Sequence, residues 1–243
     1  LRSLKGKVIV ITGASQGIGA ATARHFAKEK CRLVLVGRNK IRLNLVAESI
    51  ALQKDHFLTV IADITKCRQV KKIIDNAIRK FGQIDIFINN AGVGINKPLV
   101  ETTEREYNTI FNTNLKAVYF SFLYLIPLFE KQGGGQIINI SSGAGRIGMP
   151  GIAVYSASKA ALNALSEAVA GEVRNKNIKI SVLAPASADT AFMSNMSKKS
   201  QSPSKAKMKL TVDEVAEAVV FLAAQNRNAW TSMADIRPLL IQR

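Results

Sequence analysis

The chain reads as α/β: one doubly wound parallel sheet with helices on both faces. Three observations predict this. Short β-branched runs recur along the chain, and each is followed by a stretch of helix formers. The first of them, Val8 to Thr12, is apolar at consecutive positions, as in a strand covered on both sides. That run opens into Thr12-Gly13-Ala14-Ser15-Gln16-Gly17-Ile18-Gly19 and then directly into a helix. This is the order in which backbone N–H groups and a helix N-terminus receive a pyrophosphate. No internal repeat or linker divides the 243 residues, so a single domain over 1–243 is expected.

The totals narrow the class. Hydrophobic residues make up 47% and charged residues 21%, the balance of an ordinary soluble globular protein. Two cysteines, Cys31 and Cys67, make neither a disulfide framework nor a metal site, which points to a reducing, cytoplasmic setting. His25 and His56 are too few and too isolated for a metal-ligand cluster, so no metal is expected. The apolar run Val8 to Ile11 is too short for a signal peptide. The stretch Ala117 to Phe129 falls short of the roughly 18 residues of a membrane span and contains Pro127. It predicts a buried helix.

The net charge of +17 favours anionic ligands. The basic residues are scattered, however, with one denser segment near Lys198 to Lys209, and no aromatic-interleaved stripe is present. Solvation accounts for such a pattern, and no specific nucleic-acid partner is expected.

In chain order, the first helix follows the glycine turn from Ala20 to Lys30. A second strand, Leu33 to Val36, ends in Gly37-Arg38-Asn39-Lys40. A carboxylate about 20 residues beyond a glycine turn of this kind holds the ribose 2′-hydroxyl of NAD. Here the carboxylate is missing, and Arg38 and Lys40 stand ready for a 2′-phosphate, which predicts NADP(H). The alternative for Arg38 is a loop arginine in solvent. Helix Lys40 to Gln53 and strand Phe57 to Ala62 lead to Asp63-Ile64, where Asp63 either accepts from an adenine amino group or caps the helix Lys66 to Phe81. Strand Ile84 to Ile88 opens into Asn89-Asn90-Ala91-Gly92, with small residues that allow close backbone approach and amides suited to tying strands together.

A long helix is predicted from Thr103 to Lys131. Asn114 in its middle is a mediocre helix residue and needs either a kink or a polar contact. Strand Gln136 to Ile140 delivers Ser141-Ser142. The last long strand, Ile178 to Ala184, runs into Pro185, Ala186, Ala188 and Thr190. A polar, lysine-rich lid over about 186–210, helix Thr211 to Ala224 and a short strand near Met233 to Ile236 complete the chain.

Between these elements lies Tyr155-Ser156-Ala157-Ser158-Lys159 at the head of a helix. Positions i and i+4 share a helix face, so the phenol and the ammonium point into one cleft. A phenol with a pKa of about 10 is a poor acid–base group at neutral pH. An ammonium about 5 Å away, at an effective dielectric of about 20, favours phenolate by roughly 3 kcal/mol. A lowered Tyr155 pKa is therefore expected, although a surface helix with an incidental Tyr and Lys has the same spacing.

Taken together, Thr12-Gly13-x3-Gly17-x-Gly19, Asn89-Asn90-Ala91-Gly92, Ser142 and Tyr155-x3-Lys159 stand in the order and spacing of the short-chain dehydrogenases/reductases. The resemblance runs from about Lys5 to Ala224. It implies a Rossmann-like fold and direct hydride transfer between a nicotinamide and a carbonyl or alcohol carbon. On this resemblance Tyr155 donates or accepts the proton, Lys159 lowers its pKa and holds the nicotinamide ribose, Ser142 bonds the substrate oxygen, and Asn114 positions a relay water. Cofactor contacts are implied for Gly13, Ser15, Gln16, Gly17, Ile18, Gly19, Arg38, Asp63, Ile64, Asn90, Ala91, Gly92, Tyr155, Lys159, Pro185, Ala188 and Thr190.

This chain departs from the family pattern at Gln16, where many NADP-using relatives are basic. It departs again at Ala186, where glycine usually follows Pro185, and at an end without the glycine-rich terminus of 3-oxoacyl-carrier-protein reductases. An NADPH-dependent carbonyl reductase forming a homodimer or homotetramer is the leading expectation. A 3-oxoacyl-thioester reductase follows, with Lys198, Lys199, Lys205, Lys207 and Lys209 attracting an acidic carrier protein. A non-catalytic NADP-binding regulator is the remaining alternative.

Overall fold

The computed structural model describes residues 1–50, 52–186, 188 and 209–239. Seven parallel strands make one sheet in the order β3-β2-β1-β4-β5-β6-β7. They alternate with helices in the sequence β1 (Val8–Thr12), α1 (Gly17–Lys28), β2 (Arg32–Gly37), α2 (Lys40–Ser49), β3 (Phe57–Ile61), α3 (Cys67–Phe81) and β4 (Ile86–Asn89). The second half follows as α4 (Glu104–Phe111), α5 (Ala117–Gln132), β5 (Gly135–Ile140), α6 (Ala153–Val173), β6 (Ile178–Pro185), α7 (Val212–Ala224) and β7 (Met233–Ile236).

Side-chain alternation builds two cores from the same strands. Ile9, Ile11, Leu33, Leu35, Ile86 and Ile88 face one side, together with Phe26 of α1 and Val215, Val219 and Leu222 of α7. Val10, Val34, Val36, Phe87 and Ile137 face the other, against Ile73 of α3, Leu125 and Phe129 of α5, and Leu162 of α6. Both faces of β1 are therefore dry, which is why its run is apolar at every position.

Helix ends follow local chemistry. A capping box starts α4, with Thr103 and Glu106 bonding reciprocally. Gly133, at φ 78°, ends α5 in the left-handed region. Two boundaries differ from expectation. Helix α2 stops at Ser49 rather than Gln53, because Ile50 turns into extended backbone and buries its side chain in the core. The predicted helix from Thr103 to Lys131 is interrupted by a π-turn over Asn112–Lys116, a local widening often found at functional sites.

A buried polar ladder crosses the sheet. Asn89 Nδ2 donates to Asn139 Oδ1 at 2.8 Å and to Ser121 Oγ at 2.9 Å, and Asn139 Nδ2 donates to Ser166 Oγ at 2.8 Å. These bonds tie β4 and β5 to α5 and α6. Truncating Asn139 leaves buried partners unpaired, at a cost of about 1–3 kcal/mol. Asn139→Ala is expected to lower the thermal midpoint by about 2–4 °C for each kcal/mol lost. A melting curve that does not move would show the ladder to be structurally neutral.

Candidate active site

The strand order reverses between β1 and β4, so their carboxyl ends form the crevice in which open α/β sheets place ligands. Thr12 stitches this crevice together. Its hydroxyl donates to Ile88 O at 3.2 Å and accepts from the N–H groups of Asn90 and Ala91 at 3.0 and 3.2 Å. Asn90 Nδ2 returns the tie to Thr12 O at 2.8 Å.

The glycines in this turn are required by close approach. Gly13 sits at φ 67°, and a Cβ there would lie 2.9 Å from Ala91 Cα. A Cβ on Gly19 would fall on Gly13 O. Residue Gly17 also adopts a positive φ, 56°. Gln16 precedes α1 without capping it through its side chain, and the first turn of α1 carries no acid. The N–H groups of that turn and the positive end of the helix thus face the crevice unopposed by a carboxylate. A pyrophosphate fits these features. Ile18 packs against the core beneath them.

At the end of β2, Arg38 and Lys40 are exposed, and Gly37 lies against Ser15, with a would-be Cβ 3.4 Å from Ser15 Cβ. The helix-cap alternative for Asp63 is corrected by the structure. This residue does not cap α3, whose N-cap is Lys66. Its Oδ1 instead accepts from the backbone N–H and hydroxyl of Thr65 at 3.0 and 2.8 Å, closing an Asx turn. The neighbouring Ile64 packs into the core.

The side chains of Ser142, Tyr155 and Lys159 gather beyond the ends of β4 and β5. Tyr155 and Lys159 occupy one face near the start of α6, and both are buried. Lys159 Nζ lies 5.9 Å from the Tyr155 ring centroid and donates to Ile140 O at 2.8 Å. Ser142, at the end of β5, hydrogen-bonds Tyr155 and accepts from Ala144 N–H at 3.1 Å.

Asn114 comes from the π-turn on the opposite wall. Its Oδ1 accepts from Val93 N–H at 2.8 Å, while Nδ2 donates to Val93 O at 2.8 Å and to Ser158 Oγ at 3.0 Å. Asn114 and Lys159 meet at Gly92, where a Cβ would stand 3.3 Å from Asn114 Oδ1 and 3.6 Å from Lys159 Nζ. The polar contact expected for a mid-helix asparagine is therefore present, within the π-turn.

The electrostatics correct one expectation. Burial raises the Tyr155 pKa above its ordinary value near 10, and the Ser142 hydrogen bond works in the other direction. The ammonium does not bring the phenol down, because Lys159 turns its Nζ to Ile140 O and is itself desolvated. Its own pKa falls to about 8. Two buried groups each resist charge more strongly than either stabilises the other's charged form.

Three supporting residues carried no assignment from sequence. Asn163 lies one further i+4 step along the Tyr155–Lys159 face. It accepts from Ser141 Oγ at 2.6 Å and donates to Gly145 O at 3.1 Å, fixing α6 to the turn after β5. Ser158 joins Asn114 to α6. Arg42, in the first turn of α2, donates to Gln16 Oε1 at 2.7 Å. For Asn163 the repeated spacing was a usable signal.

The walls of the cleft are joined by Lys97, whose N–H donates to Gly151 O at 2.8 Å and whose Nζ pairs with Glu106 at 3.0 Å. Ala186 donates its N–H to Ile236 O at 2.9 Å. The non-glycine residues with positive φ among the described residues are Lys30 and Asn177, so Ala186 carries no backbone strain from its methyl. Pro185 ends β6 opposite Ile236. Ala188 bridges to Leu210, which brings the two flanks of the expected lid together. Thr190, Lys198, Lys199, Lys205 and Lys207 lie outside the described residues, while Lys209 is exposed. Among the described residues, no helix is long and apolar enough to cross a membrane.

This sheet, glycine turn and Ser–Tyr–Lys cluster define a known class. The family model for short chain dehydrogenases matches residues 7–201, and the chain belongs to that family. Among particular relatives, it is 32% identical over 228 residues to the 3-oxoacyl-(acyl-carrier-protein) reductase FabG of Thermotoga maritima, covering 91% of this chain and 92% of the relative. The structure resembles a 3-ketoacyl-(acyl-carrier-protein) reductase from Brucella melitensis complexed with NADH, with a TM-score of 0.87 at 33% identity, covering 97% and 98% of the two chains. It also resembles a metagenomic short-chain oxidoreductase in complex with NADP, with a TM-score of 0.83 at 31% identity, covering 98% and 100%.

Proposed function

We propose that the chain, working over 1–243 as one domain, is an NADPH-dependent oxidoreductase that interconverts a ketone or aldehyde and an alcohol. The observation that carries this reading is the convergence of Asn114, Ser142, Tyr155 and Lys159 beside the glycine turn. NADP(H) would be held by the α1 N-terminus and by Gly13 to Gly19, with Arg38 at the 2′-phosphate, Asp63 and Ile64 near the adenine, and Asn90 to Gly92 along the ribose. Lys159 would hold the nicotinamide ribose, with Pro185 and Ala188 along the nicotinamide.

The bound nicotinamide supplies or takes the hydride. The chain does the rest. In reduction, Ser142 Oγ donates a hydrogen bond to the carbonyl oxygen, where negative charge develops. Tyr155 then gives its phenolic proton to that oxygen, so that one hydride and one proton make the alcohol. A phenol whose pKa is raised by burial is held in the neutral, proton-bearing form that reduction needs. Lys159, with Asn114 and a water, returns a proton to Tyr155 from solvent. Oxidation uses the same groups in reverse.

A second reading, reduction of 3-oxoacyl thioesters on an acidic carrier protein or on CoA, is favoured by the named relatives in Thermotoga and Brucella. Both readings fit a homodimer or homotetramer, and the free thiols of Cys31 and Cys67 fit a cytoplasmic setting.

The test is turnover with NADPH and NADH over a panel of free ketones and 3-oxoacyl thioesters. Preference for NADPH, reduced in Arg38→Ala, is expected. The two substrate readings separate by salt, since carrier-linked turnover would fall steeply with ionic strength and free-ketone turnover would not. Equal use of NADH would overturn the role given to Arg38.

A further inference from the structure

Position 16 poses a problem for the NADP reading, because an uncharged glutamine stands where a second cation would help to bind a 2′-phosphate. The fold brings one there from another element. Arg42, 26 residues further on in the first turn of α2, donates from Nη1 to Gln16 Oε1 at 2.7 Å. Its backbone is fixed as well, since Arg42 N–H donates to Asn39 Oδ1 at 3.0 Å in the cap of α2.

The surroundings suit a dianion. Neither α1 nor α2 carries an acid in its first turn. Arg38, Lys40 and Arg42 are exposed there, and among the described residues none of the three pairs with a carboxylate. A guanidinium has five N–H donors in a planar fork. One bond to Gln16 orients the fork and leaves the other donors for phosphate oxygens. The glutamine can orient Arg42 without neutralising it, which a glutamate at the same place would do.

We propose that Arg42 is a cofactor-specificity residue, held by Gln16 so that its guanidinium joins Arg38 and Lys40 as a further cation for the 2′-phosphate of NADP(H). This rests on the NADP reading above and adds to it a residue and a tether. Gln16 becomes a positioning residue, and the cationic function of its position passes to α2. The neutral side chain at 16 then marks a relocated phosphate contact rather than a lost one.

The test is equilibrium binding, independent of turnover. Dissociation constants for NADPH and NADH are measured by fluorescence titration for the wild type, Arg42→Ala, Gln16→Leu, the double variant and Gln16→Glu. Arg42→Ala is expected to weaken NADPH by about tenfold or more, the worth of a charge-assisted bond to phosphate, and NADH by less than about twofold. Gln16→Leu should weaken NADPH by a smaller factor, and should add nothing once Arg42 is already gone. Gln16→Glu should weaken NADPH most among the changes at position 16, because it pairs Arg42 and repels the phosphate.

NADH binding serves as the control for folding in every variant. If the wild type prefers NADPH but Arg42→Ala binds both cofactors as the wild type does, or loses both equally, the proposal is wrong and the NADP reading stands. If the wild type itself shows no preference for NADPH, the NADP reading falls and takes this proposal with it.

Discussion

Replacing Tyr155 by phenylalanine is expected to lower turnover by about 10²–10⁴-fold, the usual worth of a positioned general acid or base. Cofactor affinity should change little. The substitution removes one oxygen from a ring that is already packed in place beside Ala144, so α6 has no reason to rearrange. What disappears is the proton at the place where an alkoxide would form. Ser142 loses one hydrogen-bond partner but keeps its bond to Ala144 N–H. The phenylalanine variant therefore separates binding from chemistry. Turnover and affinity lost together would mean that the ring positions the cofactor and that the proton comes from elsewhere.

Replacing Lys159 by methionine is expected to lower turnover by about 10²–10³-fold, comparable to removing a preorganised donor elsewhere, and to reveal an energetic cost that this residue imposes on the fold. Its folded pKa of about 8 lies below its ordinary value near 10.5. A lysine whose pKa is depressed by folding destabilises the native state fully below the folded value. The penalty disappears as pH rises towards the unfolded value, because in that interval the unfolded chain binds more protons. Its size is on the order of 3 kcal/mol.

Methionine removes that penalty but leaves Ile140 O without its partner, at a cost of about 1–3 kcal/mol. The two nearly offset at neutral pH, so Lys159→Met should melt at or slightly above the wild type there. As pH rises from about 8 to 10, stability should shift in favour of the wild type relative to the variant. Melting curves for both proteins across that interval test the sign. A difference that does not vary with pH would mean that Lys159 is not held against its charge.

Much of this site was legible in the sequence because its signals are local or categorical. Strands such as Val8–Thr12 announce themselves through β-branched residues, and Gly13 and Gly19 through positions that a side chain cannot occupy. Tyr155 and Lys159 are one helical turn apart, so their shared face followed from spacing alone. Asn114 stood out as a residue that a helix interior does not favour, and the π-turn with its bonds to Val93 and Ser158 supplies the reason.

What was not legible depends on distance in space. The direction of the Tyr155 pKa turns on burial, which the i, i+4 spacing does not reveal. Arg42 and Gln16 belong to different βα turns, and nothing in either turn announces the other. Local spacing offers Asp63 as a cap for α3, whereas it closes a turn with Thr65 and Lys66 stands at the N-cap. The early end of α2 has the same origin, since Ile50 leaves the helix for the core. Local preference placed these elements well, and tertiary packing set their ends and their charges.

The most direct test of the account is transfer of label from NADPH carrying deuterium on its reactive nicotinamide carbon. Incubated with the wild type and the ketone and thioester panel, at least one substrate should yield an alcohol with a single deuterium on the carbinol carbon, and Tyr155→Phe should yield almost none. A chain that binds NADPH yet delivers deuterium to no carbonyl, or forms labelled product equally well without the phenol, would contradict the account.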